Sequence, residues 1–144
     1  MCEQNIQTSI QYHFEHKKNM SQRVLVVDDS SFMRTLLTKI IKKSSKIDDV
    51  LEAMDGNSAV ETYQKEHPNL VTMDIDMPGM NGLEAAKKIK ELDPKAKIVM
   101  VTSSNKEEIR KEAQEIGTLG YITKPFDAEK INEVINKMYK NSRF

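Results

Sequence analysis

The residues best suited to chemistry are acids at the ends of short apolar runs. Asp28 and Asp29 follow Val24-Leu25-Val26-Val27, and Asp74 follows the run from Leu70 to Met73. Two carboxylates about 4 Å apart repel by ~4 kcal/mol at an effective dielectric of about 20. Acids gathered in one crevice therefore need a cation or a raised pKa. An oxygen-only donor set without His or Cys favours a hard cation, and partly hydrated Mg2+ suits a few carboxylates plus waters. Two further runs end in groups that bind oxyanions. Thr102-Ser103-Ser104 follows Ile98 to Val101, and Thr123-Lys124-Pro125-Phe126 closes the run that starts at Leu119. Lys124 carries a compact point charge suited to a phosphoryl oxygen, and Thr102 offers a hydroxyl. A carboxylate nucleophile, a metal, a hydroxyl and an ammonium are the requirements of phosphoryl transfer, which depends on positioning and charge neutralisation.

Each residue also has a plainer use. Asp29 or Ser30 is placed to cap a helix, and so is Ser104 or Asn105 further on. Asp74 stands just ahead of the turn-forming Met77-Pro78-Gly79, and a lysine before proline is commonly just exposed. Tyr121 has the character of a half-buried strand aromatic, and Met73, Met77, Met80 and Met100 suit packing better than sulfur ligation. What favours chemistry is joint placement, which depends on the elements carrying these residues.

Those elements alternate. The apolar runs at 24–27, 50–54, 70–73, 98–101 and 119–123 lack polar alternation and fit strands buried on both faces of a parallel sheet. Between them come helical periods: Phe32-Met33, Leu36-Leu37 and Ile40-Ile41; a weak segment near Asn57 to Glu66 marked by Val60 and Tyr63; Leu83, Ala86, Ile89 and Leu92; Ile109, Ala113 and Ile116; and Ile131, Val134-Ile135 and Met138. Pro68, Pro78, Pro94 and Pro125 fall between elements, and Gly117 stands where a helix C-terminal glycine belongs. Five strand–helix pairs predict an α/β fold: a (βα)5 doubly wound, flavodoxin-like parallel sheet of order 2-1-3-4-5. Such a sheet binds ligands beyond the carboxyl ends of its strands, between the first and third. That rule brings Asp28, Asp29 and Asp74 together.

Composition bounds the rest. A chain of 144 residues suits one domain, and 22 Lys+Arg balance 22 Asp+Glu. The balance stays even without residues 1–21, because Glu3 and Glu15 leave together with Lys17 and Lys18. Neutrality argues against direct nucleic-acid binding. The single cysteine, Cys2, excludes an intrachain disulfide framework and fits a reducing cytoplasm. No apolar run approaches the ~20 residues needed for membrane insertion, and no basic-then-apolar leader opens the chain. Residues 1–21 read as an N-terminal extension, a flexible tail or a mis-assigned start, ahead of a domain over 22–144. Ile6, Ile10 and Phe14 allow a marginal helix there, while His13 and His16 lack partners at metal-ligand spacing.

In this order the motifs resemble the receiver domain of two-component response regulators, specifically the stand-alone chemotaxis type. The resemblance rests on Val26-Val27-Asp28-Asp29-Ser30, on Met73-Asp74-Ile75-Asp76-Met77-Pro78-Gly79-Met80-Asn81-Gly82, on Val101-Thr102-Ser103, and on Gly120-Tyr121-Ile122-Thr123-Lys124-Pro125-Phe126. It implies that Asp74 is the phosphoacceptor for the phosphohistidine of a sensor histidine kinase. It implies Mg2+ held directly by Asp29 and Asp74, by Asp28 mainly through water, and by the backbone carbonyl of Asp76. Thr102 and Lys124 would bind the phosphoryl oxygens, Lys124-Pro125 would be cis, and Thr102 and Tyr121 would move as the switch. The resemblance also implies that the side chains of Asp76 and Ser104 influence access of hydrolytic water.

With the chain ending soon after the fifth helix, the resemblance implies a monomer whose output passes through docking. The partner would be a motility-switch protein, or a histidine phosphotransfer protein if the chain is a phosphorelay intermediate. A rival enzyme reading takes Asp74-Ile75-Asp76 as the aspartate pair of a small DxD-type phosphatase, but Met77-Pro78 replaces the expected hydroxyl residue. A rival binding reading, a flavodoxin-like nucleotide or flavin module, lacks a glycine-rich phosphate loop after the first strand.

Overall fold

Val, Leu, Ile and Met crowd the central strands because both faces of those strands are covered. In the computed structural model, which describes residues 21–141, Val24, Leu25, Val26 and Val27 are all buried. The strands are β1 (Arg23–Val27), β2 (Asp49–Ala53), β3 (Leu70–Met73), β4 (Ile98–Thr102) and β5 (Gly120–Thr123). Helices follow each in turn: α1 (Ser31–Lys42), α2 (Gly56–Glu66), α3 (Gly82–Leu92), α4 (Glu107–Ile116) and α5 (Ala128–Asn141). All neighbouring strands pair in parallel, in the order β2-β1-β3-β4-β5, as the alternation of runs and helices predicts.

Strand side chains divide between two cores by the period of two. Val24 and Val26 join Leu37, Ile41, Ile131 and Ile135 on the face covered by α1 and α5. Leu25 and Val27 join Ala59, Tyr63, Ala86, Ile89 and Ala113 beneath α2, α3 and α4. A slip of one residue would exchange these sets, so burial fixes the register. That register sets Val27 opposite Met73, and Thr102 opposite Thr123. Asp28, Asp74 and Lys124 are each the next residue on, and so emerge together at the carboxyl edge.

Several boundaries differ from the sequence expectations. β2 stops at Ala53, whose ladder partner Val27 ends β1, and Met54 beyond it is exposed. β4 ends at Thr102 as expected, while β5 begins at Gly120 and leaves Leu119 exposed. In α1 only Leu37 and Ile41 of the expected stripe are fully covered, and Phe32 and Leu36 face outward. The weak second helix is secured at its start by a capping box. The Asp55 carboxylate accepts the Ser58 N–H at 2.7 Å while the Ser58 hydroxyl meets the Asp55 N–H at 3.3 Å. Among the described residues no helix is long and apolar enough to cross a membrane. The spacing of Ile6, Ile10 and Phe14, the pair His13 and His16, and Cys2 lie outside the described residues.

Candidate functional site

At the first crevice wall, Asp28 continues the β1 ladder, its N–H donating to the Ala53 carbonyl at 3.1 Å. Two residues on, Ser30 caps α1 by accepting the Met33 N–H at 3.2 Å, so the cap is Ser30 and not Asp29. The opposite wall begins where the Asp74 N–H donates to the Val27 carbonyl at 3.0 Å. The loop after Asp74 folds back tightly, and the Gly82 N–H donates to the Ile75 carbonyl at 2.9 Å. A Cβ on Gly82 would collide with the Asp74 backbone carbonyl, so only glycine lets α3 start this close to the acid.

The crevice gathers the expected groups. Asp28 and Asp74 are buried, at 1% and 4% exposure, and Asp29 faces solvent. Carboxylate oxygens of all three lie within 4.8 Å of one another. Lys124 reaches in from the end of β5, its Nζ 2.7 Å from Asp28 Oδ2 and 3.5 Å from Asp74 Oδ2. The Lys124 N–H donates to the Thr102 carbonyl at 2.8 Å, which anchors the lysine beside β4. Its peptide bond to Pro125 is cis, as the resemblance implies. Asp74 Oδ1 accepts the Ile75 N–H at 2.8 Å, and Asp28 Oδ1 accepts the Ser30 N–H at 2.9 Å. On the outer side, the Arg34 guanidinium donates to the Asp28 carbonyl at 2.7 Å and pairs with Glu52 at 3.1 Å.

Burial pushes the Asp74 carboxyl above the ordinary range, and the Asp28 and Asp29 charges push it further. The Lys124 ammonium and the Ile75 N–H act the other way without cancelling the rise. One ammonium is thus too little positive charge for three acids. Oxygen-only donors, two buried and one open to solvent, fit a hard divalent cation that keeps some of its water. The Asp76 side chain is exposed and stands outside this cluster.

Thr102 is fully buried, and its Oγ1 accepts the Ser104 N–H at 3.3 Å. This use of Ser104 corrects an expectation. Neither Ser104 nor Asn105 caps α4; the N-cap position falls on Lys106, without a side-chain hydrogen bond. Glu107 and Glu108 instead place negative charge on the first turn, where the helix dipole favours it. The Ser104 carbonyl accepts the Tyr121 hydroxyl at 2.8 Å, and the Arg110 guanidinium carbon lies 4.6 Å from the centre of that ring.

Compared with known proteins, residues 24–136 match the response regulator receiver domain. The chain belongs to that family. This receiver is 47% identical over 117 residues to the chemotaxis protein CheY of Halobacterium salinarum, covering 81% of this chain and 96% of that protein. It is 42% identical over 118 residues to the chemotaxis protein CheY of Bacillus subtilis, covering 82% of this chain and 98% of that protein. A chain of the crystallised CheX-CheY-BeF3-Mg2+ complex from Borrelia burgdorferi superposes with a TM-score of 0.77 at 32% identity, covering 81% of this chain and 88% of that one.

The structure brings the three acids and Lys124 together, as sequence reasoning expected, and sets Thr102 at the end of β4 with its hydroxyl on the Ser104 N–H. Sequence reasoning missed Arg34, Arg110 and the Ser104 carbonyl. Nothing in the sequence sets Arg34 and Arg110 apart from solvated helix cations, and nothing in it marks a main-chain carbonyl as a partner. The signal that was available for Arg34 is its place one turn after the Ser30 cap, on the side of α1 that returns toward Asp28.

Proposed function

We propose that this receiver is a phosphorylatable switch in chemotaxis signalling, with Asp74 the acceptor of a phosphoryl group from a sensor kinase's phosphohistidine. The observation that carries this reading is a buried carboxylate set among two further acids, with an ammonium 3.5 Å away. In the transfer an Asp74 oxygen attacks phosphorus, the phosphorus–nitrogen bond breaks, and the electron pair leaves with the histidine ring. Lys124 receives a phosphoryl oxygen, and the Thr102 hydroxyl donates to another. Asp29, Asp74 and the backbone carbonyl of Asp76 would hold Mg2+, with Asp28 contributing through water. Bound Mg2+ neutralises the acids and draws charge from the phosphoryl oxygens. The likeness to a chain crystallised with BeF3 and Mg2+ supports that choice of cation.

Output follows from the links around Ser104. Motion of Thr102 toward the phosphoryl group withdraws the acceptor from the Ser104 N–H, and the Ser104 carbonyl holds Tyr121. The face formed by α4, β5 and α5 changes in consequence, and a downstream motility or phosphotransfer protein reads it. The test is incubation with Mg2+ and acetyl phosphate. Mass spectrometry should show one added phosphoryl group, base-labile and absent from Asp74→Asn. Full-yield phosphorylation of that variant would remove Asp74 as the acceptor.

A further inference from the structure

Asp28 is held at four atoms, and three of the holds belong to the sheet edge or the crevice. Its N–H donates to Ala53, and its two carboxylate oxygens accept from the Ser30 N–H and from Lys124. The fourth hold is different. The Asp28 carbonyl accepts Arg34 Nη1 at 2.7 Å, from a side chain on α1 that takes no other part in the crevice. That carbonyl belongs to the Asp28-Asp29 peptide, whose six atoms are coplanar. Fixing the oxygen therefore fixes the direction in which the Asp29 backbone leaves. The Asp29 side chain is exposed, so its aim depends on that backbone more than on packing.

Arg34 is itself fixed from two sides. Its N–H donates to the Ser30 carbonyl at 3.0 Å in the first turn of α1. Its Nε donates to Glu52 Oε1 at 3.1 Å, and Glu52 lies opposite Val26 in the β1–β2 ladder. The guanidinium thus ties α1, β2 and the end of β1 together. Its planar fork serves two acceptors in different directions, which a lysine ammonium does less well. At 18% exposure the Arg34 side chain is better shielded than Glu52, so the fork is held in a defined place.

We infer that Arg34 is a positioning residue for the acidic loop, setting the direction in which Asp29 presents its carboxylate to a divalent cation. The inference rests on the proposed reading of Asp28, Asp29 and Asp74 as a cation site. It has a distinctive sign. Arg34 carries positive charge close to that site, so by field alone its removal strengthens cation binding. As a positioning residue, its removal weakens binding, since partners that orient metal ligands are worth about 10–100-fold in affinity.

The measurement is Mn2+ affinity of the full chain by electron paramagnetic resonance, with circular dichroism to verify folding. Arg34→Gln is expected to bind Mn2+ about tenfold more weakly. Arg34→Lys keeps the charge, loses the fork, and is expected to move in the same direction. It also decides the matter if Arg34→Gln does not fold. Tighter or unchanged binding in Arg34→Gln, or unchanged binding in Arg34→Lys, overturns the role assigned to Arg34. Asp29→Asn separates the two layers of the argument. If it binds Mn2+ like the parent protein, the cation reading falls and this proposal with it. If it loses Mn2+ while the Arg34 variants do not, only the proposal falls.

Discussion

At Asp74 burial opposes ionisation most strongly. The Lys124 ammonium favours the charge, the Asp28 carboxylate opposes it, the Ile75 N–H favours it, and Asp29 opposes it. Burial wins, and the carboxyl titrates above its unfolded value. A group of this kind stabilises the fold fully below its unfolded pKa, and loses that contribution as pH rises through its folded pKa. Ionised Asp74 is therefore a cost at neutral pH when no cation is bound. Asp74→Asn, similar in shape and uncharged, is expected to raise the thermal midpoint at pH 7 in the presence of a chelator. The gap to the parent should narrow as the pH falls through the raised folded pKa toward the unfolded one, because the parent carboxyl then becomes neutral in both states. Scanning calorimetry at several pH values reads both effects, and a lower midpoint for Asp74→Asn at pH 7 contradicts the argument. Asp28, Asp74 and Lys124 were legible because charged residues directly after buried strands are costly unless they have partners. Arg34 was not, because the group it holds is a main-chain carbonyl.

Among the elements, the strands were more legible than the helix ends. Mostly apolar runs locate β1, β3 and β4 within a residue, since burial on both faces leaves no place for polar alternation. Helix starts depend on which of several hydroxyl or carboxylate residues accepts an N–H of the first turn, and near the crevice those residues have competing uses. Ser104 illustrates this: its N–H and carbonyl are committed to Thr102 and Tyr121, so α4 begins further on. The opposite case is α2, whose weak apolar periodicity understates its security. There the Asp55 carboxyl is held below its usual value by the Ser58 N–H and, less strongly, by the Ser58 hydroxyl. Asp55→Ala should cost about 1 kcal/mol in urea unfolding, as loss of an N-cap does. Asp55→Asn keeps the accepting oxygen and should recover most of that loss. Equal losses in the two variants would show that the cap oxygen contributes little.

Across the whole molecule, the proposed switch needs a path from one strand end to another face. β4 carries Thr102 into the crevice, and β5 beside it carries Tyr121 on the edge strand. The loop after β4 links them, with the Ser104 N–H directed to Thr102 and its carbonyl to Tyr121. The Tyr121 ring also packs against the core beneath α2, α3 and α4, and Arg110 of α4 lies over it. In the proposed switch, loosening of this loop acts on α4 and β5 together, because Ser104 and Arg110 both contact Tyr121. Tyr121→Phe isolates that link, because the ring and its packing remain while the donor to Ser104 is lost. In the unphosphorylated protein, amide exchange over residues 103–106 should quicken by about fivefold, the equivalent of one hydrogen bond worth ~1 kcal/mol. Acetyl phosphate with Mg2+ should then change exchange in that loop less than it does in the parent protein, because part of the loosening has already occurred. An undiminished response in Tyr121→Phe would mean that the signal leaves Thr102 by a route other than the Ser104 carbonyl.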